Sequence, residues 1–184
     1  LLVIEDKNDA LPLGEEDDVS YVEEMCRYLL YARPSAQEIA DLYVRSPLKG
    51  QHPRIMITPG TFERVQEEIK TNELKKTWHK RIIEKADAYL DTKPEEYAYN
   101  SSGNLLDVSR LIYQKAQYLG YAYNMTKDQK YKDCLWRSLE AASGFEDWDP
   151  RHFLDTAELC MAFAISYDWL YYDWTDEERR LISR

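Results

Sequence analysis

The stretch Asp147-Trp-Asp-Pro-Arg-His-Phe153 gathers more chemically able side chains than any other part of the chain. Arg151 carries a planar fork of donors suited to gripping a carboxylate or sulfate at two points. His152 can exchange a proton near neutrality. Trp148 has a flat, apolar face on which a sugar ring can stack. Trp148, Arg151 and His152 are therefore the candidate substrate-binding residues. Plainer uses exist for each of them. Trp148 and Phe153 can staple a helix start, Arg151 can stand as a surface charge, and His152 can cap.

No other arrangement of reactive residues competes. His52 precedes a proline in a linker and reads as a packing or hydrogen-bonding residue. His79 lies in Lys75-Lys-Thr-Trp-His-Lys-Arg81 and is expected to be solvated. Three widely separated histidines with no His-x-x-x-His spacing give no metal site. No Ser-His-Asp set and no glycine-rich phosphate loop can be assembled, so no catalytic residue and no cofactor is assigned. Cys26, Cys134 and Cys160 have no Cys-x-x-Cys spacing and sit in apolar helical contexts, which reads as buried free thiols.

Composition narrows the partners. The chain has 184 residues, enough for one domain with a real core, and a net charge of −10. That balance disfavours nucleic acid, because no basic stripe is present to displace counterions from phosphates. It leaves room for an acidic sugar held by a local Arg or Lys. No run of about 18 uncharged apolar residues is present, so no membrane span is expected. The N-terminus lacks a basic-then-apolar signal pattern. Oligomeric state is not written in the sequence.

The elements that must position Asp147–Phe153 are helices. Only 6 Gly and 7 Pro punctuate the chain, which argues for long helices with short connections. Ser20 with Glu23, Ser35 with Glu38, Thr126 with Gln129, Asp155 with Glu158, and Thr175 with Glu178 have capping-box spacing. Thr58 before Pro59 reads as a further N-cap with proline at the first helical position. Helices are expected over 20–32, 35–44, 59–91 with a break near Thr71–Asn72, 105–125, 128–143, 155–173 and 176–184. Residues 1–49 form a lead-in with short helices, and 50–184 form the main body.

Two of these helices differ in kind. Over 105–125, Leu105, Val108, Leu111, Ile112, Ala116, Leu119 and Tyr123 share one face, the mark of a helix packed on one side. Over 155–173, Ala157, Leu159, Cys160, Met161, Phe163, Ile165, Trp169 and Leu170 occupy nearly every angle, the mark of a helix enclosed on all sides. Asp168 on that helix is expected to be buried and partnered. Outer and inner helices in one chain describe stacked antiparallel hairpins: an all-α fold, a partial (α/α) toroid or incomplete barrel.

Two stretches carry a resemblance. His52-Pro-Arg-Ile-Met-Ile-Thr-Pro-Gly-Thr-Phe-Glu-Arg-Val-Gln-Glu-Glu-Ile69 resembles the opening segment of the heparinase II/III-like polysaccharide lyases. Phe153-Leu-Asp through Tyr167-Asp-Trp-Leu170 and Thr175-Asp-Glu-Glu-Arg179 is similar to an inner helix, turn and next helix start of that family's N-terminal α/α toroid. The resemblance covers about residues 50–184. It implies a bacterial enzyme, periplasmic or secreted, that cleaves uronic-acid glycans of the heparin, heparan sulfate or alginate type by β-elimination. In that chemistry a Tyr or His takes the proton beside the uronate carboxylate, an Asn or His neutralises that carboxylate, and a Tyr protonates the leaving oxygen. The family's catalytic stretch and C-terminal β-sandwich have no counterpart in these residues. The expectation is thus an N-terminal portion of a lyase without the complete catalytic set.

Two other classes compete. A toroid glycoside hydrolase would use a carboxyl pair, for which Asp149 and Asp155 are conceivable. A helical-repeat scaffold is suggested by residues 118–142, with Leu119-Gly-Tyr-Ala-Tyr123 and the later Ala141-Ala142, but no second copy recurs at about 34 residues.

Overall fold

Asn72 ends one helix and begins the next: its backbone N–H donates to the Glu68 carbonyl at 2.9 Å while its side chain accepts from the Lys75 N–H at 3.1 Å. That double use is the physical content of the break expected near Thr71–Asn72. The structure, a computed structural model, describes residues 35–183. The helix expected over 20–32, the Ser20–Glu23 box and Cys26 lie outside those residues. The described part is all-helical, with seven α-helices and no strand. None of the seven is long and apolar enough to cross a membrane.

The chain divides into two compact units, Leu1–Lys49 and Gly50–Arg184. In the first, α1 (Ala36–Arg45) starts with the expected capping box between Ser35 and Glu38. The second holds α2 (Thr61–Thr71), α3 (Glu73–Asp87), α4 (Leu106–Thr126), α5 (Gln129–Ser143), α6 (Phe153–Trp169) and α7 (Asp176–Ile182). Thr175 and Glu178 form the expected box at α7. Three other start signals are read differently by the fold. Thr126 closes α4 by donating to the Ala122 carbonyl, and Asp128 caps α5 instead. Gly60, in the left-handed region at φ 82°, precedes α2 in place of the Thr58–Pro59 pair. Asp155 lies inside the first turn of α6 and is not its N-cap.

Helix α4 is the hub. It touches α2, α3, α5 and α6, and its seam with α6 is the most extensive among the described helices. Their directions follow from the bonds along that seam. Leu105 meets Asp155, Arg110 meets Glu158, and Asn124 meets the Trp169 carbonyl, so α4 and α6 run parallel. At the far end Gly120 makes the close approach possible: a Cβ there would stand 3.3 Å from the Trp169 ring. Helix α3 runs antiparallel to α4, since His79 meets Tyr121 and Tyr89 meets Gln114. Helix α5 returns from α4 across a two-residue connection and touches α7, with Trp136 packed on Trp174 in the turn that precedes α7.

Burial corrects two expectations about the helix faces. Leu105, Ile112, Ala116, Leu119 and Tyr123 are buried as expected, but Leu111 stands 36% exposed at the edge of that face. Helix α6 is not enclosed on all sides by the described residues. Leu159, Ala162, Phe163 and Ile165 are buried, whereas Phe153, Leu154 and Met161 are exposed, as is Cys160, which is not the buried thiol expected. Phe153 and Cys160, and Leu154 and Met161, are each seven residues apart, about two turns, and so share one stripe, directed away from α4. Cys134 is buried, and that burial raises its thiol pKa. His79 is half-buried against the Tyr121 hydroxyl at 3.0 Å rather than solvated, and burial lowers its pKa.

The most unexpected core residue is Lys115, in the middle of α4. It is 1% exposed, with its ammonium 2.6 Å from Glu95 and 3.3 Å from the Ser138 hydroxyl of α5. A buried pair of this kind is costly to break from one side, because the remaining charge stays buried without compensation. Lys115→Met should therefore lower unfolding stability by roughly 3–5 kcal/mol in chemical denaturation, and Lys115→Met with Glu95→Gln should recover part of that loss. Retention of full stability by the single variant would refute the pair's role.

A second prediction concerns alkaline pH. The Tyr123 hydroxyl donates to Asp173 Oδ1 at 2.9 Å. Burial first, and then that carboxylate, push the Tyr123 pKa up from 10.0 to about 12. The folded chain holds this proton more tightly than the unfolded chain. The stabilisation is therefore complete below pH 10 and fades as pH rises toward about 12. Denaturation midpoints should fall across that window, and fall less in Tyr123→Phe.

Candidate functional site

Two loops meet over the starts of α4 and α6. The first approaches α4, where Asn100 closes a tight turn: its side chain accepts from the Ser102 and Asn104 N–H groups, and Gly103 supplies the positive φ of 74° that the turn requires. Tyr97 and Tyr99 precede that turn, with their hydroxyls 2.7 Å apart. The second loop is Gly144–His152. Its Asp147 accepts from the Tyr97 hydroxyl at 3.0 Å and from the Asp149 N–H at 2.8 Å, which ties the loops together.

Asp155 fixes the site from below. Its carboxylate is fully buried; Oδ2 accepts the Leu105 N–H at 2.8 Å, and Oδ1 lies 2.9 Å from His152 Nδ1. The first bond satisfies an orphan donor at the start of α4. The second orients the imidazole, with Nδ1 directed at the Asp155 carboxylate. His152 occupies the N-cap position of α6, yet its side chain makes no capping bond.

The three sequence-predicted residues are brought into one loop but used differently. Arg151 is exposed, its Nε donating to Asp149 Oδ1 at 3.2 Å and one terminal nitrogen reaching the Tyr99 hydroxyl at 3.4 Å. The Asp149 bond, above all, raises the Arg151 pKa and keeps the guanidinium charged. His152 is half-exposed beside it. Trp148 faces inward. Its ring packs on Phe163 at 4.9 Å and its Nε1 donates to the Ala142 carbonyl at 3.1 Å, so the plainer packing use applies, with Phe163 as its partner. Phe153 is exposed and not part of a staple.

Sequence reasoning missed Tyr97, Tyr99 and the special state of Asp149. Asp149 is 1% exposed, holds a φ of 47°, and leaves Oδ2 without a partner among the described residues. A non-glycine residue in that conformation and a buried, unpaired carboxylate oxygen are both costly, and such costs concentrate at functional sites. Only the Asp149-Pro150 dipeptide hinted at a turn there. Tyr97 is held protonated well above the ordinary phenol range, first by its bond with Tyr99, then by burial, then by Asp147. It is a donor here and not a base.

Asp155 spends both oxygens on fixed partners, which removes it from the carboxyl pair that a hydrolase would need. Glu158, expected to reach back to the helix start, instead binds Arg110 and Ser109 of α4. Among the described residues no group of three or more His, Cys, Asp or Glu side chains is placed to hold a metal ion.

No protein-family model matches the chain, and no curated protein matches it.

If Asp155 is the hinge pin of this site, its removal must be felt in both loops. Asp155→Ala should cost about 3 kcal/mol, since it strips a charged acceptor from a buried backbone N–H and from His152. In the folded remainder, the imidazole signals of His152 should lose their tautomer preference by nuclear magnetic resonance. A variant with unchanged stability and an unchanged His152 spectrum would remove Asp155 from this role.

Proposed function

We propose that this chain is part of the (α/α) toroid domain of a polysaccharide lyase of the heparinase II/III-like type, acting on uronic-acid glycans by β-elimination, and that the loop bearing Arg151 and His152 touches the acidic sugar. The observation that carries this reading is the pairing of an exposed, firmly charged guanidinium with an imidazole oriented by a buried carboxylate. By formal count the loop holds more carboxylates than cations. Asp155 and Asp149 are buried, and Asp149 Oδ1 is taken by Arg151 Nε; Glu146 and Asp147 are exposed, and beside them Arg151 is the loop's guanidinium, with N–H donors beyond those bonded to Asp149 and Tyr99. A uronate gripped by those donors would have its carboxylate partly neutralised, which is what makes abstraction of the neighbouring proton tolerable.

The layering supports the toroid part. Helices α4 and α6 are parallel neighbours, each followed by a helix of a second layer, α5 and α7, which also touch each other. Inner helices side by side and outer helices side by side are the repeating pattern of an α/α ring. The bare apolar stripe of Phe153, Leu154 and Met161 is the surface that a further helix of such a ring would cover. An acidic polysaccharide is the substrate in this reading, and a periplasmic or secreted setting goes with it.

Calorimetric titration of the chain with uronate oligosaccharides from heparin and alginate tests the binding half. Arg151→Ala should weaken binding about tenfold, the size of one charge-assisted contact, and raised salt should weaken it as well. Equal affinity for the variant would remove Arg151 from the site. In a longer protein carrying this chain, elimination leaves a conjugated double bond that absorbs in the ultraviolet, and hydrolysis does not. Cleavage without that absorbance would reject the lyase reading.

A further inference from the structure

The opposite end of α6 holds a cleft of about 460 Å³ that the uronate-binding loop does not use. Thirteen residues separate Asp155 from Asp168, which at 1.5 Å per residue puts the two ends about 20 Å apart. The cleft's back wall is Asp168, 1% exposed, which accepts from His52 Nδ1 at 2.6 Å and from the Arg54 and Ile55 N–H groups at 2.6 and 2.7 Å. His52 is in turn stacked on Tyr171 with ring centroids 3.7 Å apart. These contacts fix the wall and engage both oxygens of Asp168.

The remaining lining is selective in its chemistry. Trp169 is a preorganised ring: its Nε1 donates to the Ile55 carbonyl at 3.0 Å, and Phe62 holds it edge-on at 5.6 Å. Tyr172, 68% exposed, stands at the rim. Gln66 and Asn124 spend N–H groups on the carbonyls of Met125, Gly120 and Trp169, which leaves their side-chain oxygens as acceptors. The one lysine of the lining, Lys127, is drawn to Asp173 at 3.2 Å. The cleft thus combines rigid aromatic surface with carboxamide acceptors and a local excess of carboxylates. It suits a ligand with an apolar ring face and hydroxyl donors and no negative charge.

We propose that this cleft binds an uncharged sugar ring, a site distinct from the Arg151 loop and opposite to it in charge preference. The 184-residue chain, labelled with nitrogen-15, is titrated with cellohexaose, mannohexaose and xylohexaose, and separately with an alginate-derived acidic hexasaccharide. At least one neutral hexasaccharide should saturably shift the Trp169 indole N–H signal, assigned with Trp169→Phe. Tyr172→Ala, at an exposed rim position, should weaken that binding about tenfold, the equivalent of one good ring contact, in a variant whose remaining spectrum is that of the folded chain. Three outcomes would overturn the proposal: no shift with any neutral probe at millimolar concentration, a shift produced by the acidic hexasaccharide instead, or a neutral probe whose affinity Tyr172→Ala leaves unaltered. Failure of elimination chemistry would leave these results untouched, because the cleft shares no residue with the Arg151 loop.

Discussion

Both ends of α6 are held by a buried carboxylate that accepts backbone N–H groups from a segment far away in sequence. Asp155 takes the Leu105 N–H at the start of α4, and Asp168 takes the Arg54 and Ile55 N–H groups before α2. A carboxylate in an apolar helix is affordable only with such partners, and N–H groups at chain turns and helix starts need acceptors of their own. Each need answers the other. The same two side chains also reach a histidine Nδ1, so the bonds that fix the helix fix both imidazoles. Structure and chemistry at these two places are a single constraint.

Between the two anchors, packing sets the register. Parallel α4 and α6 approach closely at Gly120, where the Trp169 ring occupies the room a side chain would need. That contact holds Trp169 as a wall of the cleft, while the bond between Leu105 and Asp155 sets the height of the Arg151 loop. A shift of α6 along α4 would disturb both ends together, because both are pinned to one rigid element.

Much of this fold is legible in the sequence. The Ser35–Glu38 and Thr175–Glu178 boxes and the break at Asn72 follow from local rules that the structure obeys, whereas α4, read as packed on one side, touches four helices. Asp168 is legible too, since an acid among Tyr167, Trp169 and Leu170 must be buried and bound. Asp155 misleads because its spacing to Glu158 mimics a box; the true helix start lies at Phe153, and a long-range acceptor role leaves no mark in local spacing. Lys115 is illegible for the same reason, its partner Glu95 lying in a loop 20 residues back. Tyr97 and Tyr99 become part of the site only through a turn at Asn100 that sets them beside Asp147. The enclosing of α6 was overread from composition: apolar residues at every angle state what a helix can bury, and the described residues bury one side of it.

Net charge is equally blunt as a guide to recognition. A chain at −10 presents at one end of α6 a guanidinium with unspent donors, and at the other a lysine already drawn to a carboxylate. The two ends stand about 20 Å apart along the helix, whereas charges in physiological salt feel one another over roughly 8 Å. Each end is therefore electrically on its own. What binds there is decided by which donors and acceptors the local hydrogen bonds have left over: guanidinium N–H groups beside Asp149, and carboxamide oxygens beside Trp169. A polymer of alternating acidic and uncharged sugars would find in this arrangement a contact for each kind of residue, at separate places on one rigid helix.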